Sequence, residues 1–414
     1  MTFQKKLAVF AAALALLAFL APSSRPQEAA PAQAHPQPAA TVPVAVRVFD
    51  GGRFVGGLTL GDFEVQLNGA PQKIEALYEI DKNAVVRKEG ETAAPPDTSR
   101  RFYLLFQMYE YNPKVSEALR YFFNSVLLPG DTLEIQTPVK SYMLTPQAFA
   151  QKPKDVLAKE MDDILRKDIN RANFVYKELV RELRRLVQGI EGTTPVAGGD
   201  EASGANVSLF GMEQMMNQYR DSLIKLEAQQ AVDQNKIVAF AQALKKQGGR
   251  KFLFLFCQQE YRPEISPQSL NALIDSNQDN QTVLADLHDL FQVYHKNVSY
   301  DVKRVVEAYC DSGADVSILF MRKTPERFGG INMREQSEDM YKLFSRVAAA
   351  TGGIAETTQN PTAEIQDAVR AAEMYYLLAF KPAPAGTAGT FQSLAVKVAR
   401  KDFKVLSRQG FIAE

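Results

Sequence analysis

The sequence predicts an α/β protein with a doubly wound, mostly parallel sheet at its centre. A helical hairpin is inserted into it, and a small β-sandwich-like domain is formed by both chain ends. Three near-continuous apolar runs of strand length, Phe102 to Met108, Phe252 to Cys257 and Ala314 to Met321, have the pattern of parallel strands covered on both faces. After the first run, Pro113 suits an opening helical turn, and Val115, Ala118, Leu119, Phe122 and Val126 follow at helical spacing. Period-two alternation, as in Val42, Val44, Val46 and Val48, marks the two ends of the chain.

Met1 to Lys6 followed by an apolar Ala- and Leu-rich run to Ala21 has the layout of a secretory signal, taken here as residues 1–24. The run is short for a membrane span of about 20 residues, so a span does not persist after cleavage. Cleavage near Ala21 to Ser24 and at Ala32-Gln-Ala34 are both open. Residues 25–41, rich in Pro, Ala and Gln, predict a disordered tether. These features place the protein outside the cytoplasm, in the periplasm or beyond the cell.

Residues 42–81 predict the N-terminal part of the β domain, with turns at Asp50-Gly51-Gly52 and Asn68-Gly69. Residues 82–100 read as a polar linker and 101–373 as the α/β domain. Within it, Ala172, Tyr176, Leu179, Leu183, Leu186 and Ile190 form one heptad seam, and Leu209, Met212, Met216, Tyr219, Leu223 and Leu226 form another. The Gly- and Thr-rich stretch between them cannot continue a helix, so 168–232 predicts an antiparallel helical hairpin. Helices follow at Ser266 to Asp275, from Thr282 to Cys310 with a break near Asn297, and at Glu335 to Ala350. Residues 374–414 return to period-two pattern and predict the C-terminal part of the β domain, because neither end has enough strands to close a core alone.

With 414 residues, 46% hydrophobic and 23% charged, the chain can bury a full core. Lys plus Arg and Asp plus Glu both number 48, so there is no basic field of the kind a nucleic-acid binder needs. The two cysteines, Cys257 and Cys310, read as buried thiols at a strand end and late in a helix, with a disulfide as the alternative. No catalytic residues are assigned. The histidines are His35 in the tether and His288 and His295 on one predicted helix, seven residues and about 10 Å apart, too far to share one ion directly. Nucleophile-elbow, zinc-protease and phosphate-loop patterns do not occur.

The loops after the first two buried strands both carry Glu-Tyr-x-Pro, at Glu110 to Pro113 and Glu260 to Pro263. Ligands of open α/β sheets sit where such strands end. Tyr109, Glu110, Tyr111, Glu260, Tyr261 and Arg262 are therefore the candidate binding residues, with Arg322 to Pro325 extending the same rim. Tyrosine and arginine are the residue types that carry much of interface energy.

The motifs Val55 to Val65, Gly69 to Ile74, Gly249 to Phe256, Ala350 to Gly353, Tyr375 to Pro382 and Arg408 to Phe411, in this order, resemble bacterial secreted proteins with a von Willebrand factor type A (VWFA-related) domain. The resemblance covers almost the whole chain after the signal and implies a vWA-like, Rossmann-like sheet. It also implies a place for a divalent ion, which metal-binding members hold with Asp-x-Ser-x-Ser after the first strand and an Asp after the fourth. Here those positions carry Gln107, Tyr109, Tyr111 and Gln258, a degenerate set without carboxylate or small hydroxyl groups. Asp97-Thr-Ser99 imitates the motif but precedes the strand, and Thr193 and Thr194 stand where the family's middle-loop threonine is sought. The expected function is a non-enzymatic, cofactor-free and metal-independent protein-binding module for adhesion or scaffolding. The alternatives are self-assembly through residues 168–232 and a shifted divalent site on Glu110 and Glu260.

Overall fold

In the computed structural model the described residues are 41–91, 95–192, 209–294, 300–383, 387–399 and 402–414. The expected signal, the expected tether up to residue 40, Thr193, Thr194, His35 and His295 lie outside them.

The three apolar runs become Arg100–Gln107, Arg250–Gln258 and Ala314–Met321, adjacent strands of a six-stranded sheet. The order is Ala355–Thr358, Ala314–Met321, Arg250–Gln258, Arg100–Gln107, Thr132–Gln136 and Ser141–Leu144. Alternate side chains enter two cores. Phe102, Leu104, Phe106, Phe252, Phe254 and Phe256 meet helices Lys114–Tyr121, Lys154–Ala172 and Pro361–Glu373 on one face. Tyr103, Leu253, Leu255, Val316, Ile318 and Phe320 meet Gln234–Lys245, Val302–Ser312 and Glu338–Thr351 on the other. Burial on both faces is why these strands read as continuous apolar runs.

The expected fold class is nevertheless corrected. Among the described residues the chain is a mixed α/β protein in which three of four sheets are wholly antiparallel. Parallel pairing is confined to the one sheet above, whose last pair, Thr132–Gln136 with Ser141–Leu144, is itself antiparallel. A doubly wound, mostly parallel vWA-like sheet does not describe the molecule. The cause is connectivity: tight turns at Asn68 and Gly69 and at Lys82, all with positive φ, join neighbouring strands as hairpins, and hairpins can only be antiparallel.

Strands from the two chain ends interleave. Val42–Asp50 lies between Met374–Phe380 and Lys404–Ser407, and Met374–Phe380 in turn pairs with Ile74–Asp81. Opposite them, Phe391–Val398 pairs with Phe63–Leu67 and Gly410–Ile412. The two sheets share a core that includes Val44, Val46, Val48, Val65, Tyr376 and Phe380. Residues 82–100 differ from the expected linker. Ala84–Gly90 is an edge strand on Ile74–Asp81, and its polar sequence hides it because both of its faces are largely open, with Val85 43% and Val86 56% exposed.

At the edge where the parallel strands begin, the carbonyl ends of the helices gather. Orphan carbonyls and the negative pole of the helix dipole call for cations there. Arg47, from the chain-end sheet, donates to the carbonyl of Gly352, which caps Glu338–Thr351 in the left-handed conformation with φ +83°. A Cβ at Gly352 would have little room, with the Ser407 backbone 3.2 Å and Arg47 Nη2 3.3 Å away. Arg47 lies 3.6 Å from Asp315, which also pairs with Arg250. Lys251 donates to the carbonyl of Gln247 at 2.8 Å and Arg101 to that of Gly248 at 2.9 Å, just beyond helix Gln234–Lys245. Arg100 and Asp131 form a buried pair beside them.

Burial, together with Arg250, Arg408 and Arg101, pushes the Lys251 ammonium down to about 8, with Asp97 opposing. Cys257 and Cys310 are free and buried. Burial raises their thiols to about 12 and about 11, and Cys310 Sγ donates to the Ala350 carbonyl at 3.2 Å.

Replacing Arg47 with Leu strands the Gly352 carbonyl and weakens the hold on Asp315, so unfolding stability falls by about 3 kcal/mol. Urea titration measures this, and an unchanged midpoint would show that the junction does not rely on Arg47. Lys251 has a folded pKa below its unfolded value, so the folded chain binds fewer protons between pH 8 and pH 10 and stability rises with pH there. Between pH 7.5 and 9.5 this gain is on the order of 2 kcal/mol, and it is missing from Lys251→Met. Equal gains in both proteins would contradict it.

Candidate functional site

The opposite edge of the sheet, where the parallel strands end, carries the two Glu-Tyr-x-Pro loops. They are joined by Gln258, 8% exposed, whose Oε1 accepts from the Glu110 amide at 3.1 Å. Only the first is a loop throughout. The second becomes strand Tyr261–Ile265, which pairs with Ile331–Glu335 in a two-stranded antiparallel sheet.

That strand sorts the candidate residues by alternation. The Tyr261 hydroxyl donates to Gln259 Oε1 at 3.2 Å and to the Lys323 carbonyl at 3.1 Å, binding the loop that follows Ala314–Met321 to this edge. Arg262 points the other way and is 2% exposed. It pairs with Glu264 and lies over the Tyr294 ring at 4.9 Å, while Arg334 reaches Glu264 at 3.3 Å. Arg262 is therefore corrected from a candidate binding residue to a buried structural cation.

Tyr109 lies on Tyr176 with ring centroids 4.3 Å apart, and the Gln107 side chain reaches its hydroxyl. Burial and then the nearby Glu260 carboxylate raise both phenols well above their ordinary range. Tyr111 packs against the core under helix Lys154–Ala172; its hydroxyl donates to Asp162, and Arg166 covers its ring at 4.6 Å. Glu110 pairs with Lys323 at 2.8 Å, and Glu260 accepts from the Gln230 amide. Glu110 and Glu260 each have a partner within the chain, and among the described residues no three His, Cys, Asp or Glu side chains form a group able to hold a metal ion. Asp97 and Ser99 lie at the far end of the strand, where the Ser99 carbonyl accepts from Arg250. His288 is exposed and contacts Gln292 at 2.7 Å.

The predicted hairpin supplies one wall. Helices Phe174–Glu191 and Leu209–Gln230 pack along both seams, with Leu183, Leu186, Ile190, Met216, Tyr219 and Leu223 buried between them. The Leu209 side chain lies outside the described residues. The pair is not a separate arm. Tyr219 donates to the Pro263 carbonyl at 2.8 Å, and Ile265, Leu270, Leu273 and Val283 complete the same core. Residues 168–172 belong instead to the preceding helix, which Asn173 ends; the Asn173 side chain donates to the Met108 carbonyl at 2.8 Å and so fixes the helix pair at the strand end. The π-helical turn Asp289–Val293 ends at Tyr294, and the expected break near Asn297 lies outside the described residues.

These elements enclose a cleft of about 260 Å³. Its floor is Tyr109 and Tyr176, with Glu110, Gln258 and Tyr261 beside them. One wall is cationic, from Lys177, Arg181 and Arg184, and the loop residues Lys323 and Pro325 close the other side. A depression of about 410 Å³ shares Glu110 and Lys177 with the cleft and continues past Tyr111, Arg166 and Asn170. Lys177, Arg181 and Arg184 escaped the sequence reading, which followed only the apolar positions of their helix. Their spacing of four and three was legible and marks the stripe beside the seam.

No protein-family profile and no curated protein matches this chain. Among solved structures, the human COPII-coat protein Sec24c is similar over 77% of this chain and 44% of that one, at 8% identity and a TM-score of 0.30. The chain thus spans less than half the length of that protein, and a likeness this slight carries no argument.

Because Leu183 is fully buried in the helix-pair core, Leu183→Asp places an unpaired carboxylate there at a cost of about 4 kcal/mol. Amide hydrogen exchange is expected to lose protection in 174–191, 209–230 and 261–265 while Arg100–Gln107 and Arg250–Gln258 retain theirs. Uniform loss along the chain would show that this core does not unfold on its own.

Proposed function

We propose that the chain is an exported, non-enzymatic protein-binding module that engages its partner at the cleft between the strand-end loops and the Phe174–Glu191 helix. The observation that carries this reading is the convergence of three separate segments, 109–110, 258–261 and 323–326, with one helix face on a single open cleft. Its lining includes Tyr109, Tyr176, Tyr261, Arg181, Arg184 and Met333, residue types enriched at interfaces. The signal-like N-terminus and the sequence resemblance to secreted VWFA-related proteins support export and an adhesion or scaffold role. Among the described residues no helix is long and apolar enough to cross a membrane.

Metal independence rests on two contacts. Gln258 uses its carbonyl oxygen to hold the Glu110 amide, and the Lys323 ammonium already balances the Glu110 carboxylate at 2.8 Å. A divalent ion recruiting that carboxylate has to displace the lysine first. Self-assembly through the helix seams finds less support, since those seam residues are consumed in the chain's own core.

A photo-crosslinking side chain placed at Arg181 or Pro325, in the full chain exposed to the envelope fraction of the native cell, is expected to trap a protein partner. The same group at Glu64, exposed on the chain-end sheet, is expected to trap none. Adducts at Arg181 and Pro325 should be equally abundant in chelator. Adducts arising only at Glu64, or abolished by chelator, would overturn the reading.

A further inference from the structure

We propose that the segment bound in this cleft is an extended, acidic stretch of the partner, with carboxylates two residues apart and an apolar side chain between them. The inference rests on the protein-binding reading above and specifies its ligand.

The cleft and the depression that continues it are lined by five cations, Arg166, Lys177, Arg181, Arg184 and Lys323. They carry three carboxylates, Glu110, Glu260 and Glu326. Two of those are already matched, Glu110 with Lys323 at 2.8 Å and Glu326 with Arg184 at 3.3 Å. Glu260 accepts from the Gln230 amide. The remaining cations are less fully answered. Lys177, at the junction of the two depressions, donates to the neutral Asn170 side chain at 3.1 Å, whereas Arg166 stacks on Tyr111 and has Asp162 and Asp163 beside it on its own helix. Arg181 reaches Glu178 on its own helix, a pair 57% and 45% exposed and therefore weak. The groove therefore presents positive charge that an incoming carboxylate can use without breaking a buried pair.

Geometry then selects the ligand. Lys177 and Arg181 stand one turn apart on one helix face, about 6 Å along the axis. Side chains on one face of an extended peptide repeat every two residues, about 6.6 Å. Carboxylates at positions i and i+2 thus meet Lys177 and Arg181 together, and the residue between them turns to the opposite side. There the lining includes Pro325 and Met333. Aliphatic surface of this kind takes an apolar side chain. A sulfated polysaccharide has the charge but no such group, which favours the peptide.

The test uses the full chain and a fluorescein-labelled peptide of sequence Gly-Ser-Asp-Leu-Glu-Leu-Asp-Ser-Gly, followed by fluorescence anisotropy. Binding is expected at least about tenfold tighter than that of the Asn/Gln counterpart, and it weakens as salt is raised. Lys177→Glu combined with Arg181→Glu should reduce it by about tenfold or more, whereas Lys177→Arg retains it. Circular dichroism verifies folding; if the double variant is misfolded, the single change Lys177→Gln at this half-buried position serves, with a smaller loss in the same direction. Equal affinity for the amide peptide, indifference to these substitutions, or displacement of the peptide by heparin at matched charge would each overturn the inference. So would absence of peptide binding at millimolar concentration. In any of these cases crosslinks at Arg181 and Pro325 would leave the protein-binding reading standing, while crosslinks elsewhere would remove both.

Discussion

The Arg47 guanidinium is the contact on which the rest of the architecture depends. It begins in Val42–Asp50, at the start of the described chain, and ends on the carbonyl of Gly352 and beside Asp315. An α/β layer with its strands in parallel places helix carbonyl ends along one edge, and that edge cannot be buried unless cations answer it. Covering it with the chain-end sheets is therefore inseparable from supplying Arg47. The same edge draws in Arg101, Arg250 and Lys251, and burial, followed by the neighbouring arginines, holds the Lys251 ammonium below its ordinary range.

Sealing one edge leaves the other for recognition. Three parallel strands end together, and each is followed by a segment that contributes to the cleft. Asn173 and Tyr219 then lock the helix pair onto those strand ends through the carbonyls of Met108 and Pro263. The cleft wall is consequently rigidly placed relative to the strands, although it comes from residues 70 or more positions away in sequence from one of the loops it faces. Such pre-organisation lowers the ordering entropy that binding otherwise costs.

The strand-end side of the cleft is held by neutral hydrogen bonds and by the Glu110–Lys323 pair, while the helix wall facing it is cationic. Gln258 does not merely stand in place of a carboxylate; its amide carbonyl ties two loops together. Tyr109 and Tyr176, held protonated by burial, form a floor that is apolar in its rings and hydrogen-bonding at its rim. Arg262, by contrast, shows how a residue type favoured at interfaces can be entirely internal when alternation turns it inward onto Glu264.

Sequence periodicity alone determined the buried strands Arg100–Gln107, Arg250–Gln258 and Ala314–Met321 and the two helical seams, because burial on two faces and on one stripe each leaves its own repeat. It also located Glu110 and Tyr261 at strand ends. Only the tertiary structure decided that most sheets are antiparallel, that Ala84–Gly90 is a strand and that the helix pair shares a core with Ile265 and Leu270. It alone decided that Lys177 and Arg181 face the loops. The physical reason is common to all of these. Pairing partners, strand direction and the surroundings of a charged side chain depend on contacts between distant segments, and those contacts leave no period in the local sequence.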